Sequence, residues 1–138
     1  MPLPGFVYAS GPWELDRTGA TVASTAIAVL DALEQDSGQL SPAATNEEIV
    51  GVALEAKASG DATTNPVQIL FATFGRTKFR APREAGTLAA ADRYLRVDLN
   101  SADGLDADTT TNGDFAVYAR IDADTALGCF TTPFNRIP

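Results

Sequence analysis

The most informative hydrophobic pattern of the chain lies between residues 47 and 74. Residues 49–54, Ile-Val-Gly-Val-Ala-Leu, place bulky apolar side chains at every second position over most of their length, as in a half-buried strand. Residues 67–74 are fairly apolar on both faces, which is typical of a central strand. Gly60 and Asp61 are turn residues between the two runs. The pattern predicts two strands joined by a loop, with Gly51 marking a bulge or a close approach of two backbones.

Alternating, β-branched or aromatic residues predict further strands along the chain. They cover residues 18–33, 39–42, 77–80, 94–99, 114–121 and 127–131. The segment 77–80 alternates basic and other side chains, which is typical of an edge strand protected against stray pairing. Residues 85–95 have helix propensity but no apolar stripe, so that a short helix and a loop both stay open. The predicted fold is mainly β, with at most one short helix.

The first 19 residues are predicted to form an extended arm, because Pro2, Pro4 and Pro12 provide no ladder donors. The arm also carries aromatic residues, namely Phe6, Tyr8 and Trp13. Such side chains are expected to pack either on their own domain or on a neighbouring subunit. Both alternatives stay open, and the prolines favour the neighbour because they argue against a central strand.

The last seven residues, Thr-Pro-Phe-Asn-Arg-Ile-Pro, are again extended and bear apolar Phe134 and Ile137. The predicted organisation is therefore an N-terminal arm at 1–19, a β domain at 20–131 and a C-terminal tail at 132–138. At 138 residues, the chain is long enough for one domain with a core of its own.

Two segments, 29–56 and 94–122, share a layout at a separation of about 65 residues. Each has a strand, a polar turn that leads through glycine into leucine (Leu40 and Leu105), a loop of small polar residues and an apolar strand. This internal similarity is explained either by a duplicated β unit or by chance.

The charge and composition argue against several functional classes. The net charge is −8, which disfavours nucleic acid as a partner because phosphate contacts need a basic surface. There is no histidine, the commonest general base and transition-metal ligand, so that an enzyme is not expected and neither is a cofactor. No apolar window approaches the length of a membrane span, and no leader is evident, so we expect a soluble product of the cytoplasm.

Two candidate chemical sites have plainer explanations. The acidic stretch 98–114 departs from the calcium-loop pattern, since Ala102 and Asp103 occupy its fifth and sixth positions, and a solvated acidic loop is expected. Cys129 stands in an apolar run and is expected to be a buried, unreactive thiol.

Charge is distributed unevenly along the chain. Six of the ten basic residues lie between Arg76 and Arg96, whereas the last third is acidic. Interspersed surface charge would explain this, and so would a protein that sits on another surface. In the second case Arg76, Lys78, Arg80 and Arg83 are the candidate contacts.

The segment Val-Gly-Val-Ala-Leu-Glu-Ala-Lys-Ala-Ser-Gly-Asp at 50–61, followed by Val-Gln-Ile-Leu-Phe at 67–71, resembles the capsid decoration (cement) proteins of tailed phages. The resemblance covers residues 29–71 and rests on small and apolar residues. It implies a compact β-barrel-like or β-tulip domain that binds the outside of an assembled capsid.

The resemblance also implies a homotrimer that binds the major capsid protein and stabilises the shell through its extended ends. The protein would then be located on the capsid exterior of a virion made in the host cytoplasm. The interface candidates are the aromatic residues of the arm, the basic residues of 76–83 and the apolar residues of the tail, namely Phe6, Tyr8, Trp13, Arg76, Lys78, Arg80, Arg83, Phe134 and Ile137. Alternatives are another virion β domain, such as a minor capsid or tail-associated part, a soluble ligand-binding β barrel, or a small hydrolase.

Overall fold

The computed structural model describes residues 3–17, 21, 25–36, 38–45, 47–60, 66–72 and 76–131. Within these residues the fold is mainly β, which confirms the predicted class. The strands are β1 (Val7–Ser10), β2 (Leu15–Asp16), β3 (Ala32–Asp36), β4 (Gln39–Pro42), β5 (Ile49–Ala53), β6 (Ile69–Phe71), β7 (Lys78–Ala85), β8 (Arg96–Ser101), β9 (Gly104–Asp106), β10 (Phe115–Asp122) and β11 (Thr125–Phe130). A single 3₁₀ turn, Ala90–Asp92, is the helical element of the described chain.

The strands form two sheets. The first has the order β2-β6-β5-β3-β4, and the second has the order β1-β7-β11-β10-β8-β9. In the second sheet β9 also pairs with β7 in parallel, and this pairing closes strands β7 to β11 into a five-stranded barrel. Strand β1 adds to the outside of this ring by pairing with β7.

The two sheets repeat one topology. Strands β2 to β6 follow the order first, fifth, fourth, second, third, and strands β7 to β11 follow the same order. The parallel contact recurs as well, because Thr21 bridges Leu40 as Arg83 pairs with Leu105. Leu40 and Leu105 also stand at the same place in their hairpins, just after the two-residue turn. The similarity between residues 29–56 and 94–122 therefore corresponds to a duplicated β unit.

Strand β5 is the centre of the first sheet and is fully buried, whereas its alternation predicts a half-buried strand; β6, within the run predicted to be central, does lie between β2 and β5. All five of its residues are buried, and it pairs with β3 on one side and β6 on the other. Gly51 is required where the two backbones meet, because a Cβ atom there would lie 2.3 Å from the carbonyl oxygen of Leu70. The predicted close approach is therefore confirmed.

Buried side chains form two clusters. The larger one combines Val52 and Leu70 of the first sheet with Phe79, Phe115 and other side chains of the barrel strands, so that both repeated units share it. The smaller one belongs to the first unit alone and includes Leu33, Val50 and Ile69. The first sheet is thus buried on both of its faces.

The N-terminal residues do not form a free arm where they are described. Phe6 is fully buried against Phe115 and Phe130, and β1 and β2 pair with β7 and β6. Of the two alternatives for the aromatic side chains of this segment, Phe6 follows the first and packs on its own domain. Pro4 and Pro12 flank β1 and leave its ladder intact, which is why the prolines did not prevent pairing.

Two other predicted elements need correction. Strand β7 is central, not an edge strand, because it lies between β1 and β11. Pro82 is tolerated in it because it falls between the residues that pair with β1 and those that pair with β9. The strand predicted over 18–33 is present only from Ala32 onward among the described residues, since residues 29–30 form a turn in which Leu30 has a φ of 74°.

The acidic stretch is not simply a solvated loop, because two of its carboxylates are buried. Asp98 is 4% exposed and accepts hydrogen bonds from the backbone N–H groups of Asn112 and Gly113 at 2.9 and 2.7 Å. Asp114 is 1% exposed and accepts one from the N–H of Leu99 at 2.9 Å. These aspartates hold the loop between β9 and β10 against the barrel, since buried backbone donors need such partners.

Candidate functional site

Basic side chains line the outer face of the second sheet. In β7, Phe79 and Ala81 are buried in the core, so that Lys78 and Arg80, which alternate with them, lie on the outside. Arg80 stands opposite Val7 of β1 and opposite Leu127 of β11. The alternation of a half-buried strand is therefore sufficient to place these two cations outside the barrel.

The same face continues onto β10 and β8. Ala116 pairs with Arg96, and Tyr118 follows two residues later on the same side of β10, because Phe115 and Val117 are buried. The Lys78 ammonium group lies 5.2 Å from the centre of the Tyr118 ring. This distance is within the range of a cation–π contact and ties β7 to β10 across the surface of β11.

An aromatic corner borders this face at the N-terminus. The rings of Tyr8 and Trp13 meet edge to face with their centres 4.7 Å apart. The Tyr8 hydroxyl donates a hydrogen bond to the carbonyl oxygen of Gly11 at 2.6 Å, which fixes the turn between them. Trp13 nevertheless stays 53% exposed. A large apolar side chain is therefore held in place at the surface without being buried.

A shallow depression of 520 Å³ lies beside the aromatic corner. Its lining residues are Gly11, Pro12, Glu14, Arg76 and Lys78. The Thr77 hydroxyl donates to the Pro12 carbonyl at 3.2 Å and joins the two segments that form the depression. Of the residues singled out in the sequence, Arg76 and Lys78 line this depression, and Tyr8 and Trp13 form the corner on either side of Gly11 and Pro12.

We call Arg76, Lys78, Arg80, Arg93 and Arg96 the cationic face. Within the described part of the chain, none of these five residues has a carboxylate oxygen within 4 Å of its charged group. They make up half of the ten basic residues in a chain whose net charge is −8. Lys78, Arg80 and Arg96 share the outer face of the second sheet, and cations without ion-pair partners favour association with an acidic surface.

A second depression, of 250 Å³, opens at the other end of the face, and we call it the socket. Its lining residues are Tyr94, Arg96, Ala116, Tyr118, Cys129, Phe130 and Thr131. The Tyr94 ring is 75% exposed, and the Arg93 guanidinium lies 5.9 Å from its centre. Tyr94 has a φ of 68°, a left-handed conformation that bulky residues rarely adopt.

Two side chains at the socket are hydrogen-bonded to each other. The Tyr118 hydroxyl and the Cys129 sulfur lie 3.3 Å apart. This hydrogen bond, together with partial burial, raises the pKa of Tyr118 to about 12, so that the phenol is neutral at physiological pH. Cys129 itself is buried, as its apolar sequence context predicts.

The remaining predicted contacts lie elsewhere. Phe6 belongs to the core and does not reach the surface. Arg83 uses its guanidinium to hold the β10–β11 turn: Nη2 donates to Asp124 at 2.7 Å, Nε to the Ala123 carbonyl at 3.0 Å and Nη1 to the Gly86 carbonyl at 3.2 Å. Each of its three guanidinium nitrogens thus donates a hydrogen bond within the fold, which is typical of a structural role. Phe134 and Ile137 lie outside the described residues.

Sequence reasoning did not select the tyrosines of the socket. The alternation in residues 115–121 could have placed Tyr118 on the outside, because Phe115 and Val117 read as core positions. Tyr94 carries no comparable signal, since a positive φ at tyrosine follows from the turn between Asp92 and β8 and not from any local propensity.

The described residues contain no group of three or more His, Cys, Asp or Glu side chains placed to hold a metal ion. Among those same residues, no helix has the length and apolar character of a membrane span. Comparisons with protein families, with characterised proteins and with solved structures find no match to this chain.

Proposed function

We propose that the protein is a capsid decoration protein, which binds the outer surface of an assembled phage capsid as a homotrimer and stabilises the shell. The resemblance of residues 29–71 to that family motivates the proposal. The observation that carries it is Trp13, which is 53% exposed, packs on Tyr8 and directly follows Pro12 in the wall of the depression that Arg76 and Lys78 also line. Exposed aromatic and basic side chains in one patch are typical of the centre of a protein–protein contact.

The energetics suit a contact that is repeated many times. Burying one large apolar side chain such as Trp13 contributes roughly 1.5–3 kcal/mol. Because Tyr8 already holds the indole, little side-chain freedom is lost when it docks. A modest free energy per copy, multiplied over symmetry-related positions, would stabilise a whole shell. In this proposal the major capsid protein is the partner, and the capsid exterior is the location.

One specific observation weighs against a barrel that binds a ligand inside. The interior of the β7–β11 barrel is filled by side chains that are almost fully buried, among them Phe79, Val97, Phe115 and Phe130. The Phe130 ring is in edge-to-face contact with the rings of Phe79 and Phe115, with centres 5.4 Å apart in both pairs. A five-stranded barrel packed in this way has its central space occupied.

The test is co-sedimentation of the purified protein with assembled capsid shells. Trp13→Ala is expected to weaken binding by at least about tenfold, as for a central contact residue. Ile121→Ala is the matched control, since it removes another exposed apolar side chain, 48% exposed, near the β10–β11 turn. A protein that ignores shells, or a Trp13→Ala variant that saturates them with unchanged affinity, would contradict the proposal.

A further inference from the structure

The socket differs from the shallow depression beside Trp13 in size and in chemistry. Its volume of 250 Å³ is below the roughly 300–1,000 Å³ of pockets that enclose whole small-molecule ligands. Its walls combine the apolar surfaces of Ala116, Phe130 and Tyr94 with the guanidinium of Arg96. A space of this size accommodates one side chain of a larger partner.

We infer that the socket is an anchor site for an acidic, extended protein segment, which inserts one apolar side chain between Tyr94 and Tyr118 and places its carboxylates on Arg93, Arg96 and Lys78. The inference rests on the proposed function only for the segment's source, a protein of the shell. Its chemistry follows from the surface itself.

The positive charges around the socket indicate that the partner is acidic. Arg93, Arg96 and Lys78 surround the socket, and among the described residues no carboxylate lies within 4 Å of any of them. The carboxylates of the described residues therefore form no ion pair with these three cations. An acidic segment would complete their charge complement and would also be steered toward this side of the molecule.

The backbone at Tyr94 supports a binding role. A bulky residue in the left-handed region is strained, and such strain clusters at sites where a side chain must be presented. Because the ring is 75% exposed, it contributes little packing that would offset that strain. Glycine would satisfy the same backbone conformation without cost. We therefore assign the Tyr94 side chain a role in binding and not in the stability of the fold.

The geometry favours a polypeptide over a single-stranded nucleic acid. Bases stack on open aromatic faces. Here Lys78 covers one face of the Tyr118 ring and Arg93 one face of the Tyr94 ring, which leaves room for one side chain between the rings and not for a run of stacked bases. The chain as a whole carries a net charge of −8, which repels a long polyphosphate once it extends past the cationic face.

The experiment measures fluorescence anisotropy of a labelled peptide, Asp-Glu-Asp-Leu-Glu-Asp-Glu, with the full chain. A neutral peptide, Asn-Gln-Asn-Leu-Gln-Asn-Gln, and a single-stranded thymidine oligonucleotide of the same charge as the acidic peptide are measured alongside. We expect the acidic peptide to bind at least about tenfold more tightly than either, and to weaken as salt is raised from about 50 mM to about 500 mM.

Three variants locate the binding. Arg96→Gln and Tyr94→Gly should each reduce the affinity for the acidic peptide at least about fivefold. Arg17→Gln is the matched control, because it removes one exposed positive charge from the other sheet, where Arg17 pairs with Glu55, and it should leave affinity unchanged. Equal losses in all three variants would overturn the inference, as would unaltered binding in Arg96→Gln or equal binding of the oligonucleotide.

Co-sedimentation with shells separates this inference from the proposed function. If Trp13→Ala releases the protein from shells while Tyr94→Gly binds them normally, the decoration role stands and the socket as a shell anchor is overturned. If shells are ignored but the acidic peptide binds in an Arg96-dependent way, the socket stands as an acidic-segment site and the decoration role falls.

Discussion

The Thr45 hydroxyl donates a hydrogen bond to the Asp114 carboxylate at 2.6 Å, although 69 residues separate them. Thr45 belongs to the loop between β4 and β5, and Asp114 immediately precedes β10, so that this contact joins the two repeated units. Asp114 also accepts from the N–H of Leu99. We expect Asp114→Ala to lower the free energy of unfolding by about 3 kcal/mol, because a buried donor loses its partner.

Urea denaturation checks this value, and Thr45→Val serves as its control. Thr45 is exposed, so its variant removes the hydrogen bond to Asp114 and the one donated by the exposed Asn112 amide without leaving a buried donor unpaired, and about 1 kcal/mol is expected. Equal losses in the two variants would show that Leu99 does not depend on Asp114.

Asp31 provides a pH-dependent prediction. Burial raises the pKa of this carboxyl above its usual 3.8, and the negative charges of Asp103 and Glu84 add to the increase, while a hydrogen bond from the Ala28 N–H opposes it. The folded state therefore binds the proton more tightly than the unfolded state. Stability contributed by this group is present at low pH and is lost as pH rises through the raised pKa of the folded state.

Asp31→Asn should accordingly raise the free energy of unfolding at neutral pH, because the amide oxygen can still accept from Ala28 and no buried charge remains. The gain should shrink as the pH falls through the raised pKa of Asp31 towards its usual value, where the wild-type carboxyl becomes protonated. Thermal unfolding across this pH range measures the effect. A difference that does not change with pH would contradict the assignment.

Tyr94→Gly is expected to keep or raise the stability of the fold by up to about 1 kcal/mol. The left-handed conformation costs a non-glycine residue about 1–2 kcal/mol, and the greater freedom of glycine in the unfolded chain cancels part of the gain. Tyr94→Ala is the comparison, since alanine also removes the ring but keeps the strain. A glycine variant less stable than the alanine variant would contradict the backbone strain assigned to position 94.

Gly51→Ala should destabilise the domain strongly, by about 3 kcal/mol, because the new methyl group would collide with the Leu70 carbonyl in the central pairing of β5 with β6. Gly60→Ala is the contrast. A Cβ atom at Gly60 meets nothing within 4 Å, so that only its φ of 91° opposes the change, and about 1 kcal/mol is expected. Differential scanning calorimetry of both variants distinguishes collision from backbone strain.

Local pattern was enough to predict the mainly β fold, strand β5 and the outward position of Lys78 and Arg80, because alternation along a strand is a property of the strand itself. The pairing of β1 with β7 was not predictable in this way. Pro4 and Pro12 would argue against a strand only if they lay inside it. The residue pattern alone does not define the first and last residues of β1.

Only part of the candidate surface was predictable, because local alternation does not say which strands pair. Arg76, Lys78, Tyr8 and Trp13 come together only through the pairing of β1 with β7, a contact between segments about 70 residues apart. Predicting the socket would have required the pairing of three strands, because Tyr118 lies in β10, Cys129 lies in β11 and Tyr94 lies just before β8. Burial of Asp98 and Asp114 likewise depends on backbone donors that turn inward only once the barrel has closed.

The shared core has a consequence for how the chain unfolds. The first unit places Val52 and Leu70 in the same buried cluster as Phe79 and Phe115 of the second, and the start of the chain adds Phe6 to it. Neither half can therefore lose its packing without exposing apolar surface of the other. Although the topology was repeated, the two copies have become one cooperative unit, which should melt in a single transition.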